Sequence, residues 1–221
     1  MRNRKLLGVT LAAMQMSALA MSSVSFADDI KLGQPAYGGT GCPQGTASAN
    51  LSPDQKSLSI LFDSYVVEAG GNTGKRLDRK TCNVSIPVHV PQGLSLSIFQ
   101  VDYRGFNDLP QGAASQFNVE YFFAGGRGPQ YSRSFTGPSS QDYLISNTLQ
   151  AGAIVWSACG ADVNLRTNSS MRVQTNRNNQ QAQSTVDSAD IKAGIQYHLQ
   201  WRFCNEDGSF TPAGSELNAV L

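Results

Sequence analysis

The chain has 221 residues, 17 basic and 16 acidic, for a formal net charge of +1 and a charged fraction of only 15%. A near-neutral chain with no basic block lacks the electrostatic footprint of a nucleic-acid or anionic-lipid binder. With two histidines and four cysteines at least 40 positions apart, nothing resembles a zinc site, and no cofactor is expected.

The first segment sets the expected compartment. Arg2, Arg4 and Lys5 precede the apolar run LLGVTLAAMQMSALA, and Ser25-Phe26-Ala27 leads into Asp28-Asp29. This layout predicts a secretory signal peptide over 1–27, cut after Ala27, with Ala18-Leu19-Ala20 as a second small-x-small site. The apolar run is shorter than the roughly 20 residues needed to span a bilayer, so no membrane span is expected. Cleavage after Ala27 removes three basic residues and leaves 14 against 16 acidic, a net −2. The remaining 28–221 is expected to be a single domain, secreted or periplasmic.

From there strand signals follow one another. Leu58, Ile60 and Phe62 alternate, as do Cys82, Val84, Ile86, Val88 and Val90, then Leu94, Leu96 and Ile98. Phe117, Val119, Tyr121 and Phe123 form the next set, followed by Ile154 with Trp156, Val163 with Leu165, and Met171 with Val173. Ile195, Tyr197, Leu199, Trp201 and Phe203 close the series. Period two with Gly, Pro, Asn and Ser breaks marks short half-buried strands. No window beyond the N-terminal run has helical periodicity. The fold class is therefore all-β, a single antiparallel β-sandwich of jelly-roll or immunoglobulin-like kind. The stretches 67–80 and 124–141 read as Gly-rich loops, and QTNRNNQQAQS (174–184) as a solvated hairpin loop.

Four cysteines in an exported chain predict two disulfides, with three possible pairings. Cys82 shares parity with Val84 to Val90 and points inward, so Asn83, Ser85, Pro87 and His89 point outward. Pro87 cannot donate a ladder hydrogen bond, which suggests an edge strand or a bulge. Cys204 shares parity with the polar Gln196, His198, Gln200 and Arg202, unless a bulge intervenes. Opposite relations to the core, together with moderate loop lengths, favour Cys42–Cys82 and Cys159–Cys204.

GCPQGT (41–46), RKTCNVSIPVHVPQG (79–93), VDYRGF (101–106), Gly137-Pro138 before Asp142-Tyr143, WSACG (156–160) and WRFC (201–204) occur in this order. Together they resemble the secreted family of domain of unknown function 4360, across nearly all of 28–221. The resemblance implies one extracellular β-rich domain with disulfides at the four cysteines, and it brings no catalytic residues.

The usual hydrolase and phosphate-binding motifs are missing. His89 and His198 are expected on outward strand faces, and Asp63, Asp102, Asp142 and Glu120 fall in or beside strands. VDYRGF reads either as a sugar-binding rim, with Tyr103 as the stacking platform and Asp102 and Arg104 bonding hydroxyls, or as a braced turn whose Gly105 needs positive φ. The polar side of the last strand, with His198 and Arg202, is a second candidate surface. Trp156 and Trp201 are expected in the core. Sequons at Asn50, Asn83 and Asn168 have meaning only in a eukaryotic secretory pathway. The best-supported function is a non-catalytic module binding a glycan or envelope component. The alternatives are a secreted hydrolase using Asp102 and possibly His198, or a structural surface protein.

Overall fold

The computed structural model describes residues 30–186 and 194–205; the expected signal peptide lies outside them. Two antiparallel sheets face each other as a sandwich, as the alternation predicts. In the first sheet β6 (Leu77–His89), β11 (Val163–Gln174), β8 (Ala114–Phe123) and β9 (Gln130–Thr136) lie side by side. Two short strands, β1 (Lys31–Leu32) and β2 (Ala36–Gly38), cover the free edge of β6. The second sheet runs β3 (Ala47–Leu51), β4 (Ser57–Phe62), β13 (Ile195–Phe203), β7 (Leu94–Leu109), β12 (Ala182–Thr185) and β5 (Val66–Ala69). Along the other side of β7 lies β10 (Ser139–Thr148).

Pro87 shows why the edge is broken in two. Its carbonyl accepts from the Gly33 backbone N–H at 2.8 Å, on the side where β1 ends and before β2 begins. In a strand the N–H and C=O of one residue face the same side, so the missing donor of Pro87 falls in the gap between the two short strands. Gly33 fits there because a Cβ would come within 2.8 Å of the proline ring.

Both favoured disulfides are present. Cys42 and Cys82 have Cα atoms 5.3 Å apart, and Cys159 and Cys204 6.1 Å. Cys82 is fully buried, as its parity requires, and ties the N-terminal segment to β6. Cys204 lies just past β13, half-buried and off the core side.

Several sequence expectations change. The stretch 67–80 holds β5 and the start of β6, and 124–141 holds β9 and the start of β10, so both are partly strand. Ile154 and Trp156 do not form a strand; a 3₁₀ turn at Ala151–Ala153 leads to a single bridge between Trp156 and Ser97. The Asn/Gln-rich stretch is solvated over 177–181 as expected, but it is no hairpin: it joins β11 of the first sheet to β12 of the second, and its base is braced. Asn176 is buried, donates to the Gln111 carbonyl at 2.8 Å and accepts from the Asn178 and Gln180 backbone N–H groups.

VDYRGF is not a turn. It sits inside β7, a strand of 16 residues, and Gly105 lacks positive φ. Gly105 is needed for a close approach instead: a Cβ there would lie 2.1 Å from the Thr185 carbonyl and 2.4 Å from the Tyr143 hydroxyl. That hydroxyl crosses the glycine to donate to Thr185 O at 2.7 Å. Two residues before Val101 in the same strand, alternation slips. His198 pairs with Gln100 but Leu199 pairs with Ile98, so Phe99 is an extra residue in β7. This bulge turns Phe99 outward, against the His198 ring.

Between the sheets the core is rich in tyrosine. Tyr65, Tyr103, Tyr121 and Tyr197 are all buried to 2% exposure or less. Three of their hydroxyls link the sheets: Tyr65 to Ser169 at 3.2 Å, Tyr197 to Thr167, and Tyr121 to the Asn147 amide at 3.4 Å. Burial pushes the Tyr65 and Tyr121 hydroxyls up to about 12, and Tyr103 and Tyr197 higher still, so all remain neutral donors and acceptors.

Candidate functional site

The outer face of the first sheet is built by register. Cross-strand partners point to the same face, and the outward rows run Thr81–Ser170–Asn118–Ser132 and Asn83–Asn168–Glu120–Gln130. A further row adds Ser85 and Arg166. The middle rows carry amides and small hydroxyls with Glu120 among them, and long basic side chains stand towards the ends at Arg79 and Arg166.

Two depressions lie on this face. One, of about 390 Å³, is lined by Arg79, Thr81, Asn83, Asn118, Glu120 and Asn168 among others. The second, of about 440 Å³, is lined by Tyr37, Ser85 and Arg166, and shares Asn83 and Asn168 with the first. They form one groove with the two asparagines at its middle, and these are the asparagines of two of the three sequons. At the β8–β9 end the polar groups bond one another: Gln116 donates to Ser132 at 3.1 Å, and Ser132 to Asn118 at 2.8 Å. At the middle they do not. Among the described residues the Asn83, Asn168 and Glu120 side chains have no protein hydrogen-bond partner. Glu120 is the single carboxylate lining the groove.

The residues expected from sequence lie mostly on the outer face of the second sheet. His198 Nε2 donates to Asp102 Oδ2 at 2.8 Å, Gln100 donates to Asp102 Oδ1 at 3.0 Å, and Thr148 donates to Gln100 at 3.2 Å. Burial raises the Asp102 carboxyl, but hydrogen bonds from His198, Ser146 and Gln100 outweigh it and hold the group below the usual carboxylate range. Arg104 lies two residues along the same face, in register with Leu144. Neither depression includes Asp102, Arg104 or His198.

Tyr103 is fully buried, packed between Phe117 and Tyr131 with ring centroids 5.2 and 5.4 Å away, so it offers no platform for a sugar. Arg202 lies apart from Asp102, its guanidinium 4.0 Å above the Trp156 ring. Trp156 is therefore half-buried under a cation instead of in the core, whereas Trp201 packs against the core and donates to the Gln55 carbonyl at 3.2 Å. Phe203, expected inside, is 45% exposed at the end of β13. His89 faces outward as expected and pairs with Asp162 at 2.6 Å. Among the described residues no three His, Cys, Asp or Glu side chains gather to hold a metal, and no helix is long and apolar enough to cross a membrane.

Sequence reasoning missed the groove although it placed Asn83 and Ser85 outward. The available signal was composition: NVS and NSS put uncharged polar residues at outward positions in two strands. That those strands are neighbours, about 85 residues apart in sequence, is knowledge only the fold provides.

A family model described as domain of unknown function (DUF4360) matches residues 28–204. An uncharacterized secreted protein of Arthroderma benhamiae is 36% identical over 170 residues, covering 76% of this chain and 69% of its own. Among solved structures, TmCBM61 in complex with β-1,4-galactotriose aligns at 7% identity over 75% of this chain and 87% of its own, with a TM-score of 0.32. The enzymatically active domain of bacteriophage CBA120 tailspike protein 4 aligns at 11% identity over 76% of this chain and 19% of its own, with a TM-score of 0.24.

Proposed function

The chain belongs to the extracytoplasmic DUF4360 family, and from that premise we propose that it is a non-catalytic glycan-binding module whose site is the groove on the first sheet. One observation carries the reading: the amides at the middle of an open groove have no partners among the described residues. Sugars present rings of hydroxyls that donate and accept, and an uncommitted amide can do both with each. Such groups on a rigid sheet bind without the cost of ordering a loop. Glu120 adds one strong acceptor. A lone carboxylate does not supply the acid and base pair that glycoside hydrolysis uses, which favours binding over cleavage in this groove.

The test is retention of the purified chain in gels containing a panel of polysaccharides and cell-wall preparations. Retention on at least one polymer is expected, with loss in the Asn83→Ala/Asn168→Ala variant. No retention on any of them defeats the reading and leaves a structural surface protein. A second reading, hydrolysis, has the Asp102–His198 contact in its favour. It requires an activity that disappears in both Asp102→Asn and His198→Ala while folding is retained.

A further inference from the structure

Taking the groove as a glycan site, we propose that its ligand is an anionic glycan in which uronate residues are spaced by neutral sugars. The observation is a pair of guanidinium groups at opposite ends of the groove. Arg79 lines the first depression and Arg166 the second. Arg79 faces Arg172 in the register and Ser85 faces Arg166, so six residues of β6 separate the two rows. At the rise of an extended strand that is about 20 Å.

Both arginines are exposed, and among the described residues neither has an ion pair or hydrogen bond with a protein group. Lys75, by contrast, is held by Asp78 at 2.9 Å. Exposed Arg172 doubles the positive charge at one end. A guanidinium matches a carboxylate with two parallel N–H···O bonds, which fixes direction as well as sign.

The stretch between the arginines is different. It carries Asn83, Asn168, Thr81 and Ser170, suited to hydroxyls, together with Glu120. Glu120 accepts from hydroxyls and repels a carboxylate, so negative charge on the ligand is excluded from the middle and welcomed at the ends. A uniformly charged polymer would place carboxylates against Glu120. A polymer with spaced uronates would not. The mature chain is itself slightly acidic, so this attraction is local to the groove and not a general affinity for polyanions.

The experiment is affinity electrophoresis of the mature protein in gels containing gellan (uronates spaced by three neutral sugars), alginate (uronate throughout), carboxyl-reduced forms of each, and neutral glucans and galactans. The expected result is strongest retention on a spaced-uronate polymer, weakened about tenfold by carboxyl reduction and to a similar degree in Arg79→Gln/Arg166→Gln. Added salt should weaken it as well. Arg79→Lys/Arg166→Lys, keeping charge without the fork, should fall between. Asn83→Ala/Asn168→Ala should lose retention on every polymer. Equal retention on intact and carboxyl-reduced polymers, unaffected by the arginine changes, overturns the uronate inference and leaves the groove reading standing. Absence of retention on every polymer, charged and neutral, overturns both.

Discussion

The two outer faces of the sandwich are both polar, yet they spend their polar groups differently. On the second sheet Thr148, Gln100, Asp102 and His198 are linked in one chain of hydrogen bonds. On the first, Asn83, Asn168 and Glu120 face a groove and bond to nothing among the described residues. The residue types usual in catalysis lie on the second face, and a histidine beside an aspartate invites a catalytic reading. Commitment to neighbours is the better guide: groups that hold each other stabilise a sheet, and groups left open are available to a ligand.

The largest effects should come from the two disulfides, one behind each face. Cys42–Cys82 and Cys159–Cys204 join residues 40 and 45 apart, so the chain-entropy model gives each about 4 kcal/mol. Urea unfolding of Cys42→Ala/Cys82→Ala and of Cys159→Ala/Cys204→Ala should show similar losses. Function should separate them. Cys82 precedes Asn83 in β6, so losing its staple should weaken glycan retention as well; the second pair should leave retention intact in protein that is still folded. Equal loss of retention in both would mean that binding follows global stability and that the groove has no special standing.

Next comes the groove itself. If each asparagine gives a ligand hydrogen bonds worth about 1 kcal/mol, Asn83→Ala/Asn168→Ala should weaken retention by tenfold or more. The melting temperature should stay within a degree or two, because the amides hold no partner among the described residues. A marked drop in melting temperature would show that the groove side chains brace the sheet after all, and the contrast between the faces would collapse.

How much of this was legible in the sequence differs between backbone and site. Alternation from Cys82 to Val90 fixed the inward face of β6, and Pro87 marked its interrupted edge correctly. The slip in parity between Ile98 and Val101 encodes the bulge at Phe99, a signal present in plain view but easily passed over. VDYRGF misled because an aromatic, charges and a glycine together mimic a turn. In fact that glycine makes room for Tyr143 from β10, a partner that sequence does not announce. β9 and β10 were hidden by the Ser and Gln content of edge strands, whose side chains meet water and need no apolar pattern. The groove was illegible for a similar reason. Its floor is assembled from β6, β11 and β8, and only the sheet order makes neighbours of residues so distant in the chain.

A smaller effect tests the hydrogen-bonded chain on the second sheet. Asp102→Ala would leave the His198 and Gln100 donors without their acceptor, a loss of about 1–2 kcal/mol by urea unfolding at neutral pH, with retention unchanged. The dependence on pH has a defined sign. The folded carboxyl titrates below its unfolded value of about 3.9, so its contribution is complete above that value and is lost as the pH falls through the lower, folded one. The stability gap between the native chain and Asp102→Asn should therefore narrow on acidification from pH 6 to pH 3. A gap that widens instead would mean that burial, and not the hydrogen bonds, dominates the site.

The smallest expected effect constrains the comparison from the other side. Leu144 is 58% exposed on the second face, in register with Arg104, and a ligand lying on that face would gain from covering its apolar surface. If that face is only a stabilised surface, Leu144→Ser removes little buried area and should change stability by no more than about 0.5 kcal/mol, with retention on every polymer unaltered. A loss of retention in this variant, with folding intact, would assign ligand contact to a face outside both depressions of the groove. Binding would then not require open hydrogen-bonding groups, and the contrast between committed and uncommitted side chains would no longer locate the site. The near-zero result therefore carries as much weight as the large ones: it separates a face that is polar because it is held together from one that is polar because it is open.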